Sequence, residues 1–325
     1  MPESRIMEHQ QPRAPLAERD SGGPPAPDWF TAALARAPER ILVPVADARI
    51  ETLIWGERGR PGLLFLHGNG AHADWWSFIA PFFADDYRVA AMSWSGMGGS
   101  DRRPHYTLDL FVQEILEVAQ AAGLFDQGLP TVVGHSFGGT PLIACAARHG
   151  ERLKAAVVVD TPIMSPQVRR ERRARRGEPR EPRAHQIYPT LEAALARFRF
   201  QPPQPCEHPY IADHIGRTSL RQQPCGGYSW RFDPFMWKDY RRGNPTIDLP
   251  GVRCPVALMY GEKSSFLDDG IVDYTRSIAP PGTPIMMIAE AHHHIMVDQP
   301  LAFVSSLRTL LAAWPGPGGL IRPGA

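Results

Sequence analysis

The chain carries no surplus of charge: 35 Lys and Arg stand against 34 Asp and Glu over 325 residues, a formal charge of +1. Binding nucleic acid or an anionic membrane through the general field of a protein needs a basic excess, so neither partner is expected. Cysteine is also scarce. Cys145, Cys206, Cys225 and Cys254 are widely spaced and form no C-x-x-C pair, which argues against a disulfide framework and a zinc site and leaves them as reduced structural residues. No apolar run approaches the roughly 18–20 residues that span a bilayer. Nor do residues 1–28, which are polar, charged and Pro-rich, contain the apolar core of a signal peptide. They read as a disordered lead-in on a cytoplasmic protein. The Gly/Pro-rich residues 315–325 read as a flexible tail. Gly68-x-Gly70 lacks a third glycine at dinucleotide spacing, so no cofactor is expected.

What the chain does contain centres on Gly134-His135-Ser136-Phe137-Gly138, preceded by an apolar run and followed by a helix-compatible stretch from Thr140. A serine hydroxyl is a weak nucleophile unless it is presented beside a base and oxyanion donors. A sharp strand-to-helix turn presents it so; glycines at 134 and 138 give that crowded turn room, and Gly139 lets the following helix sit close to the sheet. From Gly62 onward, short continuous apolar runs alternate with helical patterns: strands near 62–66, 87–94 and 155–159, helices near 75–83, 108–122 and 140–148. Before them, 29–36 reads as a helix and 40–55 as a hairpin turning near Ala46-Asp47. Buried strands alternating with helices imply an α/β fold, a mostly parallel doubly wound sheet with its active groups at the carboxyl ends of the strands.

The alternation stops at Pro162 and resumes at Cys254, with a strand at 254–260, a helix near 271–278, a strand at 285–288 and a closing helix at 300–314. Between them, 168–183 is an arginine-rich run expected as a solvated helix face. Residues 188–200 read as an amphipathic helix capped by Thr190. Residues 228–237 gather Tyr228, Trp230, Phe232, Phe235 and Trp237. An aromatic-rich insertion after a sheet strand has the composition of a lid over a pocket. The domain division is therefore a core of 29–161 and 251–314 with a cap of 162–250.

The elbow, His67-Gly68-Asn69-Gly70, the glycine-rich turn from Gly96 to Asp101, and Ala291-His292-His293-His294 ahead of Asp298-Gln299-Pro300 occur in one chain order. In that order they resemble the α/β-hydrolase superfamily over about residues 40–314. The resemblance implies the α/β-hydrolase fold with a helical cap inserted after the strand ending at Asp160. It implies Ser136 as nucleophile, whereas dehalogenases and epoxide hydrolases of the superfamily carry Asp there. Counting back from Pro300 favours His293 over His292 and His294 as the base, with no metal role for the triplet. The usual acid position after the strand at 255–260 holds Ser264, so Asp160 is favoured as the acid, with Asp268, Asp269 and Glu262 as alternatives. The N–H groups of Phe137 and Asn69 are the expected oxyanion donors. Trp230, Phe232 and Trp237 are candidate substrate contacts, and one of Arg197 and Arg199 is a candidate clamp for a substrate carboxylate. The expected function is a serine hydrolase acting on a small-molecule carboxylic ester or lactone. Carbon–carbon hydrolysis of a β-diketone-type compound, or a weakly catalytic ligand-binding protein, are the alternatives.

Overall fold

Four five-residue runs, apolar but for Arg88, Thr131 and His135, set the centre of the molecule, because a strand apolar on both faces must be covered on both sides. The computed structural model describes Leu16 and residues 23–176, 181–238, 240, 243–267 and 270–313. These runs form β3 (Gly62–Leu66), β4 (Arg88–Met92), β5 (Thr131–His135) and β6 (Ala155–Val159), every residue of each buried. They are preceded by α1 (Asp28–Ala35) and by the hairpin β1 (Glu39–Val45) and β2 (Ala48–Trp55), and followed by β9 (Val256–Gly261) and β10 (Ile285–Ile288), the labels β7 and β8 belonging to a hairpin described below. The eight strands form one sheet in the order β1-β2-β4-β3-β5-β6-β9-β10. β1 pairs antiparallel with β2 and β2 with β4; the other pairings are parallel. Helices α2 (Leu108–Ala121), α3 (Gly139–His149), α8 (Ile271–Ile278) and α10 (Pro300–Ala313) cover its faces, and two apolar clusters fill the spaces between. This is the α/β-hydrolase fold.

Three expectations change. Residues 73–83 form two short 3-10 turns, Ala73–Trp76 and Ala80–Phe83, in place of one helix. Pro81 has no N–H to donate to the fourth residue back, so the chain closes i-to-i+3 bonds around it, among them Ile79 N–H to the Trp76 carbonyl and Ala84 N–H to Pro81. The amphipathic helix at 188–200 is cut to α5 (Leu191–Leu195), with the Thr190 hydroxyl accepting from the Ala193 N–H as expected of a cap. Beyond it the chain alternates: Phe198 and Phe200 point inward and Arg197 and Arg199 outward. Of the lead-in, residues 1–15 and 17–22 lie outside the described residues, as does the tail 315–325. Leu16 is nonetheless buried, in the same apolar cluster as Leu195, Phe198 and Ile215, so the apolar side chain in that polar stretch is part of the packing.

The inserted residues 162–250 contain α4 (Pro166–Arg176), whose described side chains are mostly exposed, then α5, α6 (Pro209–Thr218) and α7 (Pro245–Asp248). They also contain a hairpin the sequence pattern did not show, β7 (Leu220–Gln222) paired with β8 (Tyr228–Trp230). Three-residue strands are too short for alternation to register. Polar contacts tie this segment to the core. The Arg231 guanidinium reaches Glu51 at 3.1 Å and the Thr218 carbonyl at 2.9 Å, and His72 meets the Ser219 hydroxyl at 2.9 Å. Arg40 also pairs with Glu51, and the surrounding arginines and N–H donors hold the buried Glu51 carboxyl below its ordinary value despite its burial. The last short helix, α9 (Ile295–Asp298), sets the chain after the histidine triplet against α10.

Candidate active site

Ser136 follows β5 directly and takes a left-handed backbone conformation, φ 53°. That conformation strains any residue with a Cβ, and it is sustained where the surrounding packing fixes it. The turn is tight enough that a Cβ on Gly138 would lie 2.7 Å from the His67 carbonyl oxygen. Asp160 sits one strand over, at the end of β6, also left-handed at φ 46°, and its N–H donates to the Met259 carbonyl of β9 at 2.7 Å. His293 follows β10, three residues after Glu290, another non-glycine residue in the left-handed region at φ 60°.

These three side chains meet. His293 Nδ1 lies 2.6 Å from Asp160 Oδ2, and His293 Nε2 lies 2.9 Å from Ser136 Oγ. Asp160 and the His293 side chain are each 1% exposed. The Asp160 carboxylate accepts two further bonds, from the Gly261 N–H to Oδ1 at 2.9 Å and from the Ser264 hydroxyl to Oδ2 at 2.5 Å. Parallel pairing of β6 with β9 explains this: Val159 is opposite Met259, so the two strand ends lie side by side. A carboxylate at either end can reach the same imidazole, and Ser264 donates to the Asp160 carboxylate on the neighbouring strand. Asp160 thus does not cap the segment that follows it. Of the other acid candidates, Asp268 and Asp269 lie outside the described residues, and Glu262 accepts from the Glu290 N–H.

The other histidines are engaged elsewhere. His292 uses both its backbone N–H and its Nδ1 on Asp298 Oδ2, at 2.7 and 2.9 Å. His294 is wedged between Trp75 and Phe200. His135 lies beside His293 and donates from Nε2 to the His293 carbonyl at 2.9 Å. Burial holds His135 and His294 neutral, well below the ordinary histidine value. His135, His293 and His294 bring ring nitrogens within 4.8 Å of one another, the one such cluster among the described residues. Both His293 nitrogens face Asp160 and Ser136, however, and one of His135 is already bonded.

The turn after β3 lies against Ser136: a Cβ on Gly68 would be 3.1 Å from Ser136 Cβ. Asn69, next in that turn, is exposed. His67 anchors the turn. Its Nε2 accepts from the Trp94 N–H at 3.0 Å, so Nδ1 carries the proton and donates to the Gly68 carbonyl at 2.7 Å. The Trp94 indole N–H closes the loop on the His67 carbonyl at 3.0 Å. Full burial brings the His67 pKa down to about 3, so the ring stays in that one neutral form. The signal for this anchoring role in the sequence is the position of His67 directly after a buried strand.

The substrate-contact candidates separate. Trp237 packs edge-on against Phe137, the residue after Ser136, at 5.1 Å between ring centres. Trp230 packs on Phe198 and Tyr188, and Phe232 on His185. Arg197 and Arg199 are both exposed, and Arg199 donates to the Ala196 and Phe198 carbonyls. A carboxylate clamp from either is therefore corrected, because the helix that would have turned one inward ends at Leu195.

A left-handed serine between a strand and a helix, bonded to a histidine that is bonded to a buried carboxylate, on a mostly parallel eight-stranded sheet, defines the α/β-hydrolase class. A model of the alpha/beta hydrolase family matches residues 63–306, and the chain belongs to that family. It is 27% identical over 137 residues to a serine hydrolase-like protein of Danio rerio, covering 41% of each chain. It is 28% identical over 110 residues to epoxide hydrolase 3 of Xenopus tropicalis, covering 33% of this chain and 29% of that one. The chain thus matches less than half the length of these two relatives. An esterase of Mycobacterium tuberculosis is 23% identical over 82% of this chain and 88% of its own. Its solved structure superposes with a TM-score of 0.68 at 21% identity, covering 89% of this chain and all of the other.

Proposed function

We propose that the chain is a serine hydrolase that cleaves a small carboxylic ester or lactone through an acyl-enzyme. The observation that carries this is the unbroken hydrogen-bond chain from Asp160 through His293 to Ser136, with bonds of 2.6 and 2.9 Å. In the proposed mechanism His293 Nε2 takes the Ser136 proton as Oγ attacks the carbonyl carbon. Asp160 holds the proton on Nδ1, fixes the tautomer and stabilises the imidazolium. The N–H groups of Phe137 and Asn69 receive the oxyanion, the kind of donor whose removal costs roughly 2.7–4 kcal/mol of transition-state stabilisation. His293 then protonates the leaving oxygen, and on its next turn activates water to release the acid. For a lactone the leaving oxygen stays on the acyl chain.

Two features support an ester or lactone over an epoxide, the substrate in the name of one relative. The nucleophile position is a serine whose hydroxyl needs a base, and the base lies within hydrogen-bond reach of it. Residues 162–250 act as a cap in this reading, with Trp237 bringing an apolar face beside Phe137, so the acyl group is small and apolar. The test is a panel of chromogenic esters and lactones of graded chain length, assayed with wild type and Ser136→Ala. Turnover of short apolar esters that Ser136→Ala abolishes supports the reading; turnover that survives the substitution, or none across the panel, overturns it.

A further inference from the structure

Two adjoining hollows lie where the inserted segment meets the glycine-rich turn after β4. The first, of about 320 Å³, is lined by the backbone of Gly96, Gly98 and Gly99 together with Arg102, Arg221, Arg231 and Phe232. The second, of about 170 Å³, shares Arg102 and Arg221 and is otherwise walled by Trp230, Phe235 and Ile187 among others. No residue of the Ser136–His293–Asp160 chain lines either.

The charges on these walls do not balance. Arg231 is committed to Glu51 and to the Thr218 carbonyl. Asp101, the carboxylate on the wall of the first hollow, is forked to Arg49 through both its oxygens and is also bonded by the Arg49 N–H. Arg102 and Arg221 remain. Neither forms an ion pair among the described residues, and the Arg102 guanidinium makes a long bond, 3.4 Å to the Phe232 carbonyl. Arg102 and Arg221 line both hollows, and the one carboxylate beside them among the described residues, Asp101, is taken up by Arg49; like charges around a shared space repel, and an anion there removes that repulsion while accepting bidentate bonds. The second hollow adds an apolar side. Phe235 is 45% exposed and Ile187 48%, and with Trp230 they place uncovered apolar surface next to the guanidinium pair.

We propose that the two hollows form one binding site for an amphiphilic organic anion, whose carboxylate or phosphate lies between Arg102 and Arg221 and whose aliphatic or aromatic body lies on Trp230, Phe235 and Ile187. The site is separate from the catalytic chain and stands whether or not that chain turns over an ester. It also gives the aromatic cluster at 228–237 a second use: Trp237 serves the elbow, while Trp230, Phe232 and Phe235 face this site.

Isothermal titration calorimetry of the full chain with octyl phosphate, octanoate, 1-octanol and inorganic phosphate tests this, alongside Arg102→Gln/Arg221→Gln and Phe235→Ser. All three substituted side chains are exposed or half-exposed at the surface, and thermal melting checks that each variant folds. One octyl anion should bind per chain, with the phosphate and carboxylate arms showing which headgroup is preferred. The double arginine variant should weaken it by at least about 10-fold, consistent with loss of two charge-assisted contacts, and Phe235→Ser should weaken it by a smaller factor. Octanol and inorganic phosphate should each bind at least about 10-fold more weakly than the preferred anion, since each lacks one half of the ligand. The proposal fails if neither octyl anion binds, if the folded double variant binds as tightly as wild type, or if octanol binds as well as the anions.

Discussion

Asp160→Asn exchanges one oxygen for an amino group, and the structure dictates which. The carboxylate faces three donors: the Gly261 N–H on Oδ1, and the Ser264 hydroxyl and His293 Nδ1 on Oδ2. The backbone N–H cannot reverse its role, so the asparagine oxygen must stay toward Gly261 and its NH2 must take the other place. The Ser264 hydroxyl can rotate to accept. His293 can accept only by moving its proton from Nδ1 to Nε2, and an Nε2–H cannot take the proton of Ser136 Oγ, 2.9 Å away. Loss of the base tautomer costs on the order of 10³–10⁴ in kcat in triads of this kind, about 4–5.5 kcal/mol of barrier at roughly 1.4 kcal/mol per decade. Folding should suffer less, by about 1–3 kcal/mol, because charge-assisted bonds become neutral ones. The assay is kcat on the best ester of the panel, with urea unfolding in parallel. A folded Asp160→Asn within about tenfold of wild type would refute the reasoning, since the base would then work without the Asp160 carboxylate.

Ser264→Ala removes one donor and leaves Asp160 with Gly261 and His293; urea unfolding should show a loss of about 1.5–3 kcal/mol, while kcat falls by no more than about tenfold. Gly68→Ala should lower kcat by about 10- to 100-fold with little change in melting temperature, because its Cβ would press to 3.1 Å on Ser136 Cβ and 3.2 Å on His135 Nδ1. Glu114 is buried beside Arg103 and the Ser95 N–H, and burial outweighs both in pushing its carboxyl up from 4.5 to about 7. Between those values the folded chain holds a proton that the unfolded chain releases, so this group's contribution to stability falls as pH rises through the window and is flat above it. Urea unfolding from pH 5 to 8 should show wild type losing up to about 3 kcal/mol relative to Glu114→Gln; parallel curves would contradict the assignment.

The sheet was legible because burial on both faces leaves an unambiguous trace: Gly62–Leu66 and Ala155–Val159 are continuous apolar runs in the sequence and fully buried strands in the fold. Ser136 was legible for a related reason, since glycines crowd only where the backbone has to turn sharply. Asp160 could be inferred because Ser264 stood at the commoner acid position. What the sequence could not show is that Ser264 then donates to Asp160, as this depends on two strand ends 104 residues apart lying side by side. Other stretches, in the core as well as in the inserted segment, left less trace in the sequence. In 73–83 a proline broke a helix whose residues are nearly all buried, so periodicity carried no information. At 196–200, alternation of Phe and Arg decided the outcome, and over so few residues it matches a helical face as well as an extended one. The placement of Trp230 and Phe232 away from the elbow follows from a hairpin too short to leave a pattern.

The central claim is that Ser136 is a nucleophile activated by His293, and it can be tested without knowing the substrate. Incubation with a fluorophosphonate followed by peptide mass spectrometry should find one phosphonyl adduct, on the peptide carrying Ser136, and His293→Ala should lose it while remaining folded. No adduct on wild type, an adduct on another residue, or labelling that persists unchanged in His293→Ala would contradict the account.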